Sequence, residues 1–169
     1  LFMGLMVTVL PAAAQDSGTV MWLAEYYSGR YFSGPAVVRA YEPGINQNWG
    51  TGAPSPGLPA DNFSVRWTAT AYFDGGLYRF DARADDEIRI IIDNTHVILD
   101  TLDAAQPGVP LSADFSLSRG YHSLRVEYRE NGGAAYVNMS WQQIQSPTPL
   151  PGPGIWVAEY YNNRVLDGS

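Results

Sequence analysis

Residues 84–93 read Ala84-Asp85-Asp86-Glu87-Ile88-Arg89-Ile90-Ile91-Ile92-Asp93. Ile88, Ile90 and Ile92 alternate with Arg89, Ile91 and Asp93. That period of two predicts a β-strand with one wholly apolar face. Asp93-Asn94 reads as a tight turn into Thr95–Asp100, so strand and return form a hairpin. The same alternation recurs at Phe63, Val65 and Trp67, at Tyr78, Phe80 and Ala82, at Leu124, Val126 and Tyr128, and at Ala135, Val137, Met139 and Trp141. Residues 20–27, 36–41 and 111–118 are further strands. No segment carries a helical period. Eight or nine short strands separated by turn signals predict an all-β, antiparallel sandwich or barrel.

Between the strands, residues 42–61 are rich in Gly, Pro and Asn and read as one long ordered loop rather than regular structure. Residues 103–110 form a second loop. Residues 146–154 are a Pro/Gly-rich linker, extended and semi-rigid. Beyond it Trp22-Leu23-Ala24-Glu25-Tyr26-Tyr27 returns as Trp156-Val157-Ala158-Glu159-Tyr160-Tyr161. Residues 155–169 are therefore expected to begin a second copy of the domain at 20–143. At the other end, the apolar run Leu1–Leu10 followed by Pro11-Ala12-Ala13-Ala14 is a signal-peptide core with a cleavage site after Ala14. The leader is expected to be truncated, since it does not begin with Met and lacks a basic start. The mature domain would be exported.

Composition narrows the function. The formal charge is −7, and all ten basic residues are Arg. An acidic chain of this kind is a poor partner for nucleic acid or anionic membrane. No Cys is present, which excludes disulfides and thiolate metal sites. His96 and His122 are the only histidines, too few for a His-rich metal site, and read as ordinary strand residues.

The candidate chemistry lies at Asp85-Asp86. In a regular strand adjacent side chains point to opposite faces, so the two carboxylates share a ligand only where the backbone kinks. Together they would suit Ca²⁺, a hard cation that takes about six to eight oxygen ligands. Asp100, Asp103 and carbonyls around Asn131 are candidate further ligands. The plainer reading is a turn in which the Asp side chains accept backbone amides. A glycosidase pair is disfavoured, since its carboxylates stand roughly 5–9.5 Å apart across a sugar and no second acid is motivated. No Ser/His/Asp or Cys/His arrangement and no phosphate-binding loop is readable. Among the aromatic residues, most alternate into the core. Trp49, between Asn48 and Gly50, is either a sugar-stacking platform or a plug beneath the long loop.

Taken together, Trp22-x-x-Glu25-Tyr26-Tyr27, Trp49-Gly50-x-Gly52-x-Pro54, Pro59 to Trp67, Tyr78-Arg79-Phe80, Ala84-Asp85-Asp86, Ile92-Asp93 and Gly120 to Tyr128 resemble the PA14 domain. The resemblance implies a jelly-roll-type β-sandwich. It also implies that Asp85 and Asp86, like the aspartate pair of sugar-binding adhesins in that family, are joined by a cis peptide and hold a Ca²⁺ that binds sugar hydroxyls. Glu87 departs from the pattern, which has Gly there, and is expected to crowd the site.

Three functions are consistent with this reading. The first is a secreted, non-catalytic carbohydrate-binding or adhesion module, calcium-dependent and repeated in tandem, whose partners are glycans or cell-surface polysaccharide. The second is a structural spacer. The third is the accessory domain of a secreted glycoside hydrolase.

Overall fold

A computed structural model describes residues 20–147. The leader at 1–14, most of the linker and the repeat at 155–169 lie outside the described residues. Eight strands make up the fold: β1 Trp22–Tyr27, β2 Val38–Glu42, β3 Ile45–Gly50, β4 Ser64–Asp85, β5 Glu87–Ile92, β6 His96–Asp100, β7 Leu111–Arg129 and β8 Ala135–Gln145. Every pairing between them is antiparallel.

The expected short strands at 63–68 and 78–83 are one strand of 22 residues, and those at 111–118 and 124–129 are one of 19. β4 and β7 pair with each other throughout, in register from Ser64↔Arg129 to Ala82↔Leu111. Both cross from one layer of the sandwich to the other. The first layer runs β2-β1-β4-β7-β5-β6, and in the second β4 pairs β8, which pairs β3. The crossing falls at Gly75 and Gly76, both at positive φ. A Cβ on Gly76 would overlap the carbonyl oxygen of Gln145 and come within 3.0 Å of the Pro147 nitrogen, so only glycine lets β8 and its continuation pass this close.

The alternating residues fill the space between the layers. Ile88, Ile90 and Ile92 of β5, Val65 and Trp67 of β4, and Val126 and Tyr128 of β7 are all fully buried. They meet Phe80, Ala84, Ala135 and Val137 of the second layer in one cluster. Asp93 and Asn94 turn the hairpin with φ of 50° and 57°, both left-handed, and the turn is closed by Thr95 N donating to Ile92 O at 3.2 Å.

One loop was misread. Residues 45–50, Ile45-Asn46-Gln47-Asn48-Trp49-Gly50, form β3 and pair with β8. Asn46 and Asn48 point out, but Gln47, on the inner side with Ile45 and Trp49, is polar and donates to Glu42, and a register shift follows between Asn48 and Gly50, so no apolar alternation marks the strand.

β4 starts at Ser64 and ends at Asp85, and both ends lie at one rim of the sandwich. Ser64 pairs Arg129, which also pairs Glu87, while Asp85 pairs Tyr136. The loop Glu130–Ala134, between β7 and β8, closes over this rim.

Candidate functional site: an acidic rim

The peptide bond between Asp85 and Asp86 is cis. Burial, and then the neighbouring charge and hydrogen bond of Asp86, hold the Asp85 carboxyl above its ordinary range. Asp86 Oδ2 accepts a hydrogen bond from the main-chain nitrogen of Asn131 at 2.7 Å, which fixes the β7–β8 loop against the pair. Asp61 Oδ1 accepts from the Gly133 nitrogen at 3.0 Å and holds the other side of the same loop.

Sequence reasoning singled out Asn131 only for carbonyls in its neighbourhood and missed Tyr128 and Glu130. The Tyr128 hydroxyl donates to the main-chain oxygen of Asp85 and lies 2.6 Å from Glu130 Oε2. Glu130 is fully buried, and its Oε1 has no hydrogen-bond partner. Burial pushes its carboxyl up to about 7 and the charges of Asp86 and Asp85 add to that, while the Tyr128 hydroxyl and the main-chain N–H of Gly132 oppose it. Asn131 Oδ1 is also buried without a partner. Buried acceptors in native proteins are satisfied in the great majority of cases, and Glu87 Oε2, Glu130 Oε1 and Asn131 Oδ1 are three exceptions at this rim. Among the described residues no group of three or more His, Cys, Asp and Glu is arranged around a metal position. A cation here would depend on amide and main-chain oxygen as well as carboxylate, a donor set that suits calcium.

Glu87 does not crowd the pair. It is buried, its Oε1 sits 3.3 Å from Arg30 Nη2 and its Oε2 3.6 Å from Arg129 Nη1, and Asn131 Nδ2 donates to Oε1 at 3.4 Å. The two arginines draw the carboxylate away from the aspartates and lie over the ring of exposed Tyr31, at 5.6 and 5.1 Å. Of the other candidate ligands, Asp100 is committed to Arg89 at 2.8 Å, and the Asp103 side chain is almost wholly exposed.

Trp49 lies behind the rim. It is half-buried and meets Phe63 edge-on, with ring centroids 5.4 Å apart, and Tyr128 at 5.7 Å. It supports the tyrosine that holds Asp85, which is the plug arrangement.

The structure also assembles a trio that was not readable in sequence. His122 Nδ1 is 2.7 Å from Asp93 Oδ2, and its Nε2 is 3.2 Å from Ser118 Oγ. Nε2 is closer still to the Ser118 carbonyl oxygen, at 3.0 Å. Carboxylate and carbonyl both accept, so both ring nitrogens donate and the imidazole has no lone pair to take a proton from Ser118. The trio is a clamp that ties the β5–β6 turn to β7.

The PA14 domain profile matches residues 17–154, and the chain belongs to the PA14 domain family. It is 30% identical over 161 residues to the anti-sigma-I factor RsgI3 of Acetivibrio thermocellus, covering 84% of this chain and 24% of that protein. A solved anti-sigma factor domain-containing protein superposes with a TM-score of 0.67 at 26% identity, covering 74% of this chain and 43% of its own. The chain thus spans less than half the length of these relatives. The PA14 sugar-binding domain of an RTX adhesin has the same fold, with a TM-score of 0.56 at 19% identity over 73% of this chain and 89% of that one. Among the described residues, no helix is long and apolar enough to cross a membrane.

Proposed function

We propose that this domain is an exported, non-catalytic carbohydrate-binding module whose ligand site is the acidic rim, and that Ca²⁺ held there makes the contact with sugar. The observation that carries the reading is the pairing of Asp85 and Asp86 with two buried, unpartnered oxygens, Asn131 Oδ1 and Glu130 Oε1. Asp85, Asp86 and Asn131 would hold the ion, with Glu130 behind them. The ion would supply a hard Lewis acid with open positions for vicinal hydroxyls. The sugar-binding PA14 domain of the adhesin supports the same reading from the side of fold.

The likeness to the anti-sigma-I factor favours one refinement. The domain would be the ligand-reading part of a longer sensor, in which sugar occupancy is reported through the rest of the chain. A spacer without ligand would leave the orphan oxygens without a purpose.

The test is thermal unfolding in saturating CaCl₂ and in EDTA, paired with a glycan array under both conditions. A ligand that binds only the folded state at a hundredfold excess over Kd adds about 2.7 kcal/mol. That corresponds to a rise in Tm of roughly 5–10 °C for a domain of this size. The rise is expected in the wild type and absent in Asp86→Ala, and sugar binding should follow calcium. Equal Tm in calcium and EDTA for the wild type, or no glycan bound in either, overturns the reading.

A further inference from the structure

We infer that the outer face of the first layer carries a second, calcium-independent carbohydrate site, at the pole of the sandwich opposite the acidic rim. It is built by the part of the β4–β7 ladder that nears the Gly75–Gly76 crossing. Tyr72 and Tyr121 face each other across that ladder. Their rings meet edge-on at 5.2 Å, and both are exposed, 48% and 76%. The pair is not loose, because Arg119 Nε donates to the Tyr72 hydroxyl at 2.9 Å. Two strand positions further on, the face holds Thr70 opposite Ser123, and two positions beyond them Thr68 opposite Arg125. These four residues and Asn94 line an open groove of about 340 Å³.

The chemistry of this strip selects its occupant. Its floor is hydroxyl, its side wall is the carboxamide of Asn94, and one end is a guanidinium. Arg125 has donors to spare. Its nearest carboxylate oxygen, Glu127 Oε1, is 3.7 Å away and already accepts two hydrogen bonds from Arg66, while the Arg125 side chain is a third exposed. The other end is the two exposed tyrosine rings, set edge-to-face. Hydroxyls, amide, one cation and an aromatic platform are complementary to a ligand with many hydroxyls and flat C–H faces, which is a pyranose chain.

Size points the same way. From Thr68 to Tyr72 the strip is about 13 Å long, and it is about 10 Å wide across neighbouring strands. Beyond it Phe32 covers the face, lying over the Arg66 guanidinium at 4.9 Å. A protein partner needs about 800 Å² on each side, several times this area. Two or three sugar rings of an extended chain fit it.

This site does not depend on the aspartate pair, so its failure and that of the rim are separable. The full chain is run in affinity electrophoresis through gels containing hydroxyethylcellulose or xylan, in EDTA throughout. Retardation by at least one polymer is expected, and it should persist in Asp86→Ala. Tyr121→Ala should weaken the apparent affinity at least fivefold and Tyr121→Phe should not. Thr70→Arg, which fills the groove and spares both tyrosines, should weaken it as Tyr121→Ala does. Circular dichroism of each variant should match the wild type. No retardation of wild type by either polymer, loss of retardation in Asp86→Ala, or unchanged retardation in folded Tyr121→Ala and Thr70→Arg overturns the inference.

Discussion

Arg66 donates two hydrogen bonds to a single oxygen of Glu127, from Nε at 3.1 Å and Nη2 at 2.9 Å. The pair is the middle of a row that crosses the whole first layer. Arg39, Glu25, Arg66, Glu127, Arg89 and Asp100 are successive strand partners on β2, β1, β4, β7, β5 and β6. Their charges alternate without a break. Opposite charges directly across a ladder each add a fraction of a kcal/mol. Burial of a member adds little net stability, because desolvation offsets the attraction, but it raises the cost of removing its partner.

Glu127 is the most consequential member of that row. It is buried and faces Arg66, Arg89 at 3.8 Å and Arg125 at 3.7 Å. Glu127→Gln removes the one carboxylate that, among the described residues, faces all three guanidinium groups, of which Arg89 alone keeps a second, Asp100 at 2.8 Å. Those groups are about a third exposed, so the full cost of an uncompensated buried charge is not reached. A loss of about 2–3 kcal/mol by urea titration is expected. A loss under 0.5 kcal/mol would mean that the row is ordered but energetically idle.

Trp49 separates platform from plug. Its ring rests on Phe63 and Tyr128. Trp49→Ala should therefore cost about 2–3 kcal/mol of stability, somewhat less than a fully buried aromatic. The folded fraction should bind calcium as the wild type does, measured by calorimetry. Unchanged stability with lost glycan binding would instead make Trp49 a ligand contact.

The His122–Asp93 clamp gives a pH signature. Burial opposes the charge on His122, but the hydrogen bonds to Asp93 and to the Ser118 carbonyl outweigh it and hold the imidazole above its ordinary value near 6.5. The His122 hydrogen bond is the largest influence on Asp93 and holds that carboxyl below its ordinary value near 3.8. A raised histidine contributes stability that is complete below about pH 6.5 and is lost as pH rises through the folded value. A lowered aspartate contributes stability that is complete above about pH 4 and is lost as pH falls through its folded value. Nearby His96 acts on Asp93 in the same direction when charged. Tm of wild type minus Tm of His122→Gln should therefore be largest between about pH 4 and 6.5 and shrink toward pH 8. A flat difference across that range would remove the charged clamp.

The strand crossing should be intolerant of any side chain. Gly76 has φ of 103°, and backbone of the 145–147 segment occupies the place of a Cβ. Gly76→Ala is expected to cost about 2–4 kcal/mol, from the steric overlap and the unfavourable φ together. Gly120→Ala is the comparison. It too has positive φ, at 144°, but an open space at Cβ, and should cost less than half as much in the same urea titration.

How much of this was legible depended on distance along the chain. Period-two alternation revealed nearly every strand, because each strand shows one face to the core and its neighbours in sequence are enough to say so. Nothing local revealed that the strands at 63–68 and 78–83 are one, because β4 runs straight through Gly75 and Gly76. Asp85 and Asp86 could be singled out by type and by family resemblance. Asn131 and Glu130 could not, since what makes them part of the rim is a contact 45 positions away between the Asn131 nitrogen and Asp86. Glu87 was expected to obstruct because its size is local information, while the arginines that turn it aside, Arg30 and Arg129, are not.

Because β4 and β7 each run unbroken from one layer into the other, the two layers share backbone at the pole of Gly75 and Gly76. They are joined again at the rim, where the chain steps from Asp85, paired with β8, through Asp86 to Glu87, paired with β7. Asp86 is the stair between two floors, so the place of its carboxylate answers to both layers at once rather than to a single strand.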